Sequence, residues 1–220
     1  MEITVMKNIM GANEEKASEL RALLKDKKVL MVNLIGSPGA GKTTILENTI
    51  AALKEKNYSA AVIEGDVATD RDAKRLQRFD IPITLINTDG ACHLEALSIE
   101  ASLAGLELDK IDIVFIENVG NLVCPAEFDI GEHAKIAVVS VTEGDDKPSK
   151  YPLLFREAEA VILNKTDLEK YTNFNRQSFM TDVKNLNGTA PLFEMASMDK
   201  PNIEPWLGWL ENKLKSVRES

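Results

Sequence analysis

The chain has 220 residues, of which 44% are hydrophobic and 28% charged, and its formal net charge at pH 7 is −9. This length and apolar content predict one globular α/β domain with an ample core, and the negative charge argues against nucleic acid or an anionic membrane as a partner. The chain has only two cysteines, which argues against a disulfide framework and favours a cytoplasmic protein. Neither a signal peptide nor an apolar run near the roughly 20 residues of a membrane helix is visible.

An amphipathic helix is predicted ahead of the first strand. Between Asn13 and Asp26 the apolar residues recur at helical spacing, and charged residues occupy the other positions. We therefore predict residues 1–27 to be an N-terminal extension and residues 28–220 to be the main domain.

An unbroken apolar run from Val29 to Ile35 predicts a buried strand that leads into a glycine-rich loop. The loop fills the P-loop template, whose glycine backbone turns N–H groups onto phosphate oxygens at the start of a helix. The predicted nucleotide-binding residues here are Gly36, Ser37, Pro38, Gly39, Ala40, Gly41, Lys42, Thr43 and Thr44. We expect Lys42 to reach the β and γ phosphates and the Thr43 hydroxyl to ligate Mg²⁺.

Acidic residues follow the second predicted strand, Ser59 to Ile63. Ligands bind at the carboxyl ends of strands in doubly wound sheets, so Asp66, Asp70 and Asp72 are candidates for holding magnesium or positioning water. Aspartate also favours helix caps, and a solvated helix start is the alternative interpretation of each one.

A nucleotide-sensing loop is predicted after the β-branched strand from Ile111 to Ile116. Glu117 would hold the magnesium shell through water, and the Gly120 N–H would bond the γ phosphate and release it after hydrolysis. Asn121 stands where Ras-like switches place a water-orienting glutamine, so slow intrinsic turnover is expected. The predicted catalytic residues are Lys42, Asp66, Asp72, Glu117 and Gly120, and the predicted magnesium ligands are Thr43, Asp66, Asp72 and Glu117.

The remaining elements alternate between apolar runs and helical periods, which predicts an α/β fold. Helices are expected at Thr44 to Lys56, Leu94 to Leu106, Thr172 to Leu186 and Ile203 to Val217, and strands at Ile81 to Ile86, Lys135 to Val141, Ala160 to Leu163 and Pro191 to Met195. A polar, mobile loop is expected from Thr142 to Lys150. The predicted architecture is a three-layer P-loop NTPase with a mostly parallel sheet of about seven strands and helices on both faces.

The tetrapeptide Asn164-Lys165-Thr166-Asp167 follows a late strand and indicates which base is bound. An aspartate carboxylate accepts from the guanine N1–H and exocyclic amine together, a pairing that adenine does not offer. We expect Asn164 to bond the purine edge and the Lys165 stem to lie over the ring. Backbone contact to the guanine oxygen is expected around Ala196 and Ser197. After a P-loop, this motif predicts GTP and GDP as the nucleotides.

Cys92 and His93 are adjacent in a chain that has only two residues of each type, and Cys124 follows the Glu117 loop. Thiolate and imidazole groups suit Zn²⁺ and Ni²⁺, and a set of three is completed by water or by a second subunit. The alternative is two buried apolar cysteines and a hydrogen-bonded histidine, which the spacing leaves open. His133 has no evident partner and is interpreted as structural.

These motifs together resemble the HypB family, GTPases that assist nickel insertion into NiFe hydrogenase. The resemblance runs from Val29 onward and depends on Gly36 to Thr43, Glu64 to Asp66, Gly90 to His93, Glu117 to Pro125, Thr142 to Gly144 and Asn164 to Asp167. It implies a GTPase domain that hydrolyses GTP to GDP and phosphate with Mg²⁺.

The resemblance also implies a GTP-promoted homodimer with metal at its interface. Cys92, His93 and Cys124 match residues that bind nickel or zinc there, and Lys147 and Lys150 match a basic loop that contacts nucleotide across the interface. The implied partners are a HypA-like nickel or zinc chaperone and the hydrogenase large-subunit precursor. The C-x-x-C-G-C motif and histidine-rich stretch of some family members are missing, so N-terminal metal binding and nickel storage are not expected.

Two other functions fit parts of the sequence. A P-loop small-molecule kinase would use the same phosphate loop, but the segment from Asn164 to Asp167 argues against it. A related GTPase chaperone for urease nickel or a cobalamin enzyme is the second alternative. The urease type is expected to carry Cys-Pro-His, whereas here Cys92-His93 is separate from Cys124-Pro125.

Overall fold

A parallel sheet of seven strands forms the centre of the computed structural model, which describes residues 9–66, 71–196 and 202–219. The side chains of residues 9, 10, 66 and 71–73 lie outside this description. The strands are β1 (Leu30–Gly36), β2 (Ala60–Asp66), β3 (Ile83–Asn87), β4 (Ile113–Glu117), β5 (Ala134–Ser140), β6 (Ala160–Asn164) and β7 (Leu192–Glu194). Their order is β3-β2-β4-β1-β5-β6-β7, and each neighbouring pair is parallel. The carboxyl ends therefore share one edge.

Helices cover both faces of the sheet, as the alternating sequence periods predict. The described α-helices are α1 (Ile9–Asp26), α2 (Lys42–Glu55), α3 (Arg71–Leu76), α4 (Ala96–Leu103), α5 (Cys124–Glu127), α6 (Lys147–Lys150), α7 (Pro152–Glu157), α8 (Arg176–Leu186) and α9 (Glu204–Glu219). Short 3₁₀ turns lie at Gln77–Phe79, Leu108–Lys110, Val141–Glu143 and Thr166–Tyr171. The predicted three-layer α/β architecture is confirmed. Within the described ranges, no helix combines the length and apolar composition needed to cross a bilayer.

The central strand β1 shows how one apolar run serves both faces of the sheet. Leu30 and Leu34 belong to the core beneath α2 and α9, whereas Met31 belongs to the core beneath α1 and α4. Side chains alternate along a strand, so a strand buried on both faces reads as a continuous apolar run. Trp206 in α9 is fully buried and donates to Thr49 Oγ1 at 3.1 Å. This bond ties α9 to α2.

The segment from Thr142 to Lys150 folds into a 3₁₀ turn and α6, in contrast to the mobile loop that its polarity predicts. Ser140 and Glu143 form a capping box there. The Thr142 N–H donates to Ser140 Oγ at 3.2 Å, and the Ser140 N–H donates to Glu143 Oε2 at 2.7 Å. Polar side chains that satisfy local backbone groups order a segment that looks like a loop in sequence.

Helix α8 also differs from its prediction, because it begins at Arg176 rather than at Thr172. Asn175 caps it by accepting a hydrogen bond from the Ser178 N–H at 3.0 Å. An asparagine oxygen at this position satisfies a free N–H of the first turn, so the cap sets the helix start.

His133 precedes β5 and is held against β1, which agrees with the structural role predicted for it. The Met31 N–H donates to His133 Nδ1 at 3.1 Å, so this nitrogen must be unprotonated. Burial, followed by the positive charges of Arg21 and Lys213, lowers the pKa of His133 to about 4. The ring is therefore neutral in the folded protein at neutral pH.

We expect the stability gap between wild type and a His133→Asn variant to narrow as the pH falls. The pKa of His133 is about 4 in the folded chain and about 6.5 when unfolded. Between these pH values the unfolded wild type binds a proton at His133 that the folded form does not, which lowers its stability, and the variant lacks this effect. Urea unfolding at about pH 7.5 and about pH 4.5 should show the gap closing by about 1 kcal/mol. A gap that is constant across this range would contradict the assignment.

Candidate functional site

The P-loop leaves β1 at the carboxyl edge of the sheet and continues into α2. Gly39 and Gly41 have φ angles of 79° and 97°, in the left-handed region that glycine adopts readily. A Cβ on Gly41 would lie 2.3 Å from Asn164 Nδ2, so the loop after β6 packs against a position that requires glycine. A loop of this kind at a helix N-terminus is suited to phosphate oxygens.

Lys42 and Thr43 begin α2 and lie close to the ends of β1 and β4. Buried Lys42 donates to Gly36 O at 3.0 Å, which places its ammonium over the P-loop. Thr43 Oγ1 donates to Glu117 Oε1 at 2.8 Å, and the register that pairs Leu34 with Glu117 brings these groups together. A hydroxyl and a carboxylate in contact are oxygen ligands of the kind that Mg²⁺ prefers, so these residues fit the predicted magnesium site.

A cavity of about 460 Å³ lies between the P-loop, α3 and the segment that follows β4. Five of its lining residues, Glu64, Gly65, Arg75, Asn118 and Val119, are not among the predicted site residues, and Glu64 and Arg75 are the charged members of this set. Arg75 donates to Thr44 Oγ1 at 2.9 Å and to Glu47 Oε2 at 2.6 Å. The strand-end rule that selects Asp66 applies equally to Glu64 and would have found it. Arg75 reaches the cavity through the packing of α3, which no sequence motif marks.

The loop after β6 contacts the P-loop backbone. Asn164 Nδ2 donates to Ala40 O at 2.8 Å, and Lys165 Nζ donates to Gly39 O at 2.6 Å. The Asp167 Oδ1 atom is buried and has no hydrogen-bond partner among the described residues. A buried acceptor without a donor is costly, and the N–H groups of guanine would satisfy it. Asp167 therefore fits a guanine base, whereas the purine contact of Asn164 stays a prediction.

Cys92, His93 and Cys124 come together in space, with one ligand atom from each lying within 4.8 Å of the others. Cys92 is exposed, and His93 Nε2 has no hydrogen-bond partner in the described part of the chain, although the His93 ring stacks on Phe128 at 3.7 Å. Cys92 is therefore not a buried apolar cysteine, and His93 is satisfied only at Nδ1, which lies 3.5 Å from Cys92 Sγ. A hydrogen bond with Cys124 is the main cause that raises the pKa of the Cys92 thiol, so metal binding would displace a proton.

A short segment connects the nucleotide cavity to this cysteine and histidine cluster. A Cβ on Gly120 would lie 2.6 Å from Pro38 Cγ, so the segment rests directly on the P-loop. The next residue, Asn121, donates from Nδ2 to Cys92 O at 3.1 Å and accepts from the Val123 N–H at 3.0 Å. Movement of Gly120 would therefore displace the Cys92 backbone, which bonds to Asn121, and Val123, which directly precedes Cys124.

Comparison with known proteins assigns the family. The family model described as "CobW/HypB/UreG, nucleotide-binding domain" matches residues 30–194. The hydrogenase maturation factor HypB of Escherichia coli K12 is 42% identical over 206 residues, which cover 94% of this chain and 71% of that relative. The chain belongs to the HypB family.

Other HypB proteins match over nearly the whole chain. The hydrogenase/urease maturation factor HypB of Helicobacter hepaticus is 40% identical and is covered to 88% of its length. The crystal structure of HypB from Helicobacter pylori in complex with nickel superposes with a TM-score of 0.88 at 39% identity, covering 95% of this chain and 98% of that one. The family resemblance of the sequence motifs is confirmed.

Several residues of the predicted nucleotide and magnesium sites stay untested by this geometry. Asp70 and Ser197, together with the side chains of Asp66 and Asp72, lie outside the described residues. Ala196 follows Met195, whose carbonyl accepts from the Thr166 N–H at 3.1 Å, so it lies beside the base-binding loop.

The two lysines predicted to contact nucleotide lie in α6, and neither Lys147 nor Lys150 lines the described P-loop cavity. Lys150 pairs with Asp146 at 2.5 Å, and Lys147 lies over the Tyr151 ring at 5.5 Å. Contact across a dimer interface would have to bring them to a nucleotide, and this role stays a prediction.

We expect Gly120→Ala to impair nucleotide turnover in this HypB-family chain. The new Cβ must push the segment away from Pro38, because a separation of 2.6 Å is too short for two carbon atoms. The steady-state rate of nucleoside triphosphate hydrolysis, measured with GTP, should fall roughly tenfold, which corresponds to about 1.4 kcal/mol in the barrier.

Gly208→Ala in α9 is the matched control, since a Cβ there meets nothing within 4 Å. It should hydrolyse GTP at the wild-type rate. Equal rates for Gly120→Ala and the wild type would show that the contact with the P-loop has no effect on turnover.

Proposed function

We propose that this protein is a GTP-hydrolysing metallochaperone that assists nickel insertion into hydrogenase. The observation that carries the proposal is the segment in which Gly120 rests on Pro38 and Asn121 bonds to Cys92 O. One segment thereby touches both the phosphate loop and a metal-ligand candidate. The name of the E. coli relative, hydrogenase maturation factor, and the nickel in the H. pylori structure support hydrogenase and nickel as the targets.

The proposed hydrolysis divides among residues of the P-loop and the end of β4. Lys42 would bind the β and γ phosphates, and Thr43 and Glu117 would hold Mg²⁺, which neutralises developing phosphate charge when bound. The Gly120 N–H would report on the γ phosphate by bonding it before hydrolysis and releasing it afterwards. Asn121 at the position of a water-orienting glutamine leads us to expect slow intrinsic turnover.

The proposed cargo site consists of Cys92, His93 and Cys124. Their soft sulfur and imidazole donors suit Ni²⁺ or Zn²⁺, and a three-ligand set leaves a coordination position for a second subunit or for transfer. We propose that GTP promotes a homodimer in which this site is shared. Hydrolysis would then relax the Gly120 segment, shift Cys124 and weaken metal binding.

We further propose that the metal passes between this protein, a HypA-like nickel or zinc chaperone and the hydrogenase large-subunit precursor in the cytoplasm. An exposed thiol, as at Cys92, allows a partner's ligand to approach without prior unfolding. The same transfer of nickel from the exposed cluster would also suit a urease precursor. The H. hepaticus relative named hydrogenase/urease maturation factor supports that alternative.

We expect Asp167→Asn to weaken GTP binding by about 100-fold and to improve binding of xanthosine triphosphate. The asparagine amide donates where the carboxylate accepts, so it opposes the guanine amine but matches the carbonyl of xanthine. Equilibrium titration with GTP, ATP and xanthosine triphosphate measures the change. Equal affinity of the wild type for ATP and GTP would instead favour the kinase alternative.

Nickel binding should depend on both the cysteines and the nucleotide. We expect Cys124→Ala to lower Ni²⁺ affinity by at least about tenfold, since it removes one of the three converging donors. Calorimetric titration of Ni²⁺ with GDP and with a non-hydrolysable GTP analogue, together with the mass in solution, tests the coupling and the dimer.

His133→Asn is the matched control for metal binding, because His133 is the chain's other histidine and is not one of the three residues whose ligand atoms converge. It should bind Ni²⁺ as the wild type does. Identical Ni²⁺ affinities in the two nucleotide states of the wild type would leave a GTPase but would overturn the metal-delivery mechanism.

A further inference from the structure

We propose that Glu132 is a positioning residue for the nucleotide-sensing segment Glu117 to Asn121, and that it acts through Asn33 and Asn118. The inference rests on the proposed GTP-responsive role of that segment. Glu132 touches neither the P-loop cavity nor the cysteine and histidine cluster, so any effect on nucleotide turnover must pass through other residues.

A chain of three hydrogen bonds connects Glu132 to the segment. Asn33 Nδ2 donates to Glu132 Oε1 at 3.1 Å, and Asn118 Nδ2 donates to Asn33 Oδ1 at 3.2 Å. Asn118 Oδ1 then accepts from the Val119 N–H at 2.9 Å. Each amide has its nitrogen on one side and its oxygen on the other, so the acceptor at Glu132 and the donor at Val119 together fix the orientation of both amides.

The chain of amides lies in an apolar environment. Asn33 is on the central strand between Met31 and Ile35, and the exposed fractions of Asn33, Asn118 and Glu132 are 0%, 2% and 5%. Burying polar groups here is costly unless each is hydrogen-bonded, and an apolar residue would fill the strand position without that cost. The network is therefore better explained by orientation of the Asn118 segment than by stability alone.

Glu132 itself is fixed by the turn that precedes β5. The Ile130 N–H donates to Glu132 Oε2 at 2.8 Å, and Arg21 Nε of α1 donates to Glu132 O at 3.2 Å. Arg21 also bonds both carboxylate oxygens of Asp129, at 2.6 and 2.7 Å. Arg21 of helix α1 thus holds the turn at the Asp129 side chain and at the Glu132 backbone. Glu132 therefore keeps its position when the segment moves.

Asn118 lies between the two residues that we assign to the nucleotide. Glu117 on one side bonds Thr43, and Gly120 on the other rests on Pro38. Without Glu132 the Asn33 amide loses its acceptor, so Asn33 is held less firmly and its bond to Asn118 is weakened. The segment would then respond less specifically to the γ phosphate, while recognition of guanine at Asp167 would be unaffected.

The test compares Glu132→Leu with Glu132→Gln. Glutamine keeps one acceptor oxygen for Asn33 Nδ2, but its Nε2 then faces the Ile130 N–H, so Glu132→Gln should lower stability while it preserves the bond to the Asn33 amide. We expect Glu132→Leu to lower kcat for GTP hydrolysis by about tenfold and to reduce the ratio of GTP to GDP affinity by a similar factor. For Glu132→Gln, we expect both kcat and the affinity ratio to stay within about threefold of the wild type.

Thr49→Val is the matched control for loss of a buried hydrogen bond. It removes the bond from Trp206 on the opposite face of the sheet, so it should lower stability without changing the affinity ratio. A Glu132→Leu protein with the wild-type kcat and affinity ratio would overturn the inference, as would Glu132→Gln damaging both as much as leucine does.

The pair Asn33→Leu/Glu132→Leu carries the test if Glu132→Leu alone does not fold, because it removes the buried Asn33 amide that Glu132→Leu leaves without its acceptor. The pair should show the same reduced kcat and affinity ratio as a single variant, and additive losses would contradict action through Asn33. If the segment from Glu117 to Asn121 has the same conformation in the wild type with GTP and with GDP, the proposed function on which the inference rests is refuted instead.

Discussion

The close approach of Gly120 to Pro38 is the constraint on which the rest of the site depends. A Cβ at residue 120 would lie 2.6 Å from the proline ring, so the segment after β4 can rest on the P-loop only if it carries glycine. The parallel register makes the approach possible, because Leu34 pairs with Glu117 and the two strands end side by side. A ligand that moves the P-loop near Pro38 therefore also displaces this segment.

The same segment is attached at several points that differ in exposure. Asn121 reaches outward to the exposed Cys92 loop, whereas Asn118 reaches inward to Asn33 and the buried Glu132. Exposed hydrogen bonds exchange easily with water, and buried ones do not, so the inner attachment acts as the fixed end and the outer one as the mobile end. This asymmetry would direct movement toward the metal ligands rather than into the core.

Sequence patterns predicted the fold and the local motifs because both are encoded over short distances. The run from Val29 to Ile35 fills a strand buried on both faces, and the P-loop and the Asn164 to Asp167 loop follow strand ends as expected. The inner network was not predicted, since Asn33 and Glu132 are polar residues whose partnership depends on sheet register. Arg75 was missed for a similar reason: its approach to Thr44 depends on tertiary packing of α3.

The surroundings of the cysteine and histidine cluster favour a protein over water as the source of further ligands. Cys92 is exposed, and the apolar residue Val123, which directly precedes Cys124, is 48% exposed. Water completes a coordination sphere without any need for apolar surface beside it, whereas a protein interface gains free energy by covering such residues. Because Gly120 rests on the P-loop and Asn121 bonds to Cys92 O, a second subunit at the proposed shared site would contact residues that are connected to the nucleotide site, and the proposed metal release requires such a connection.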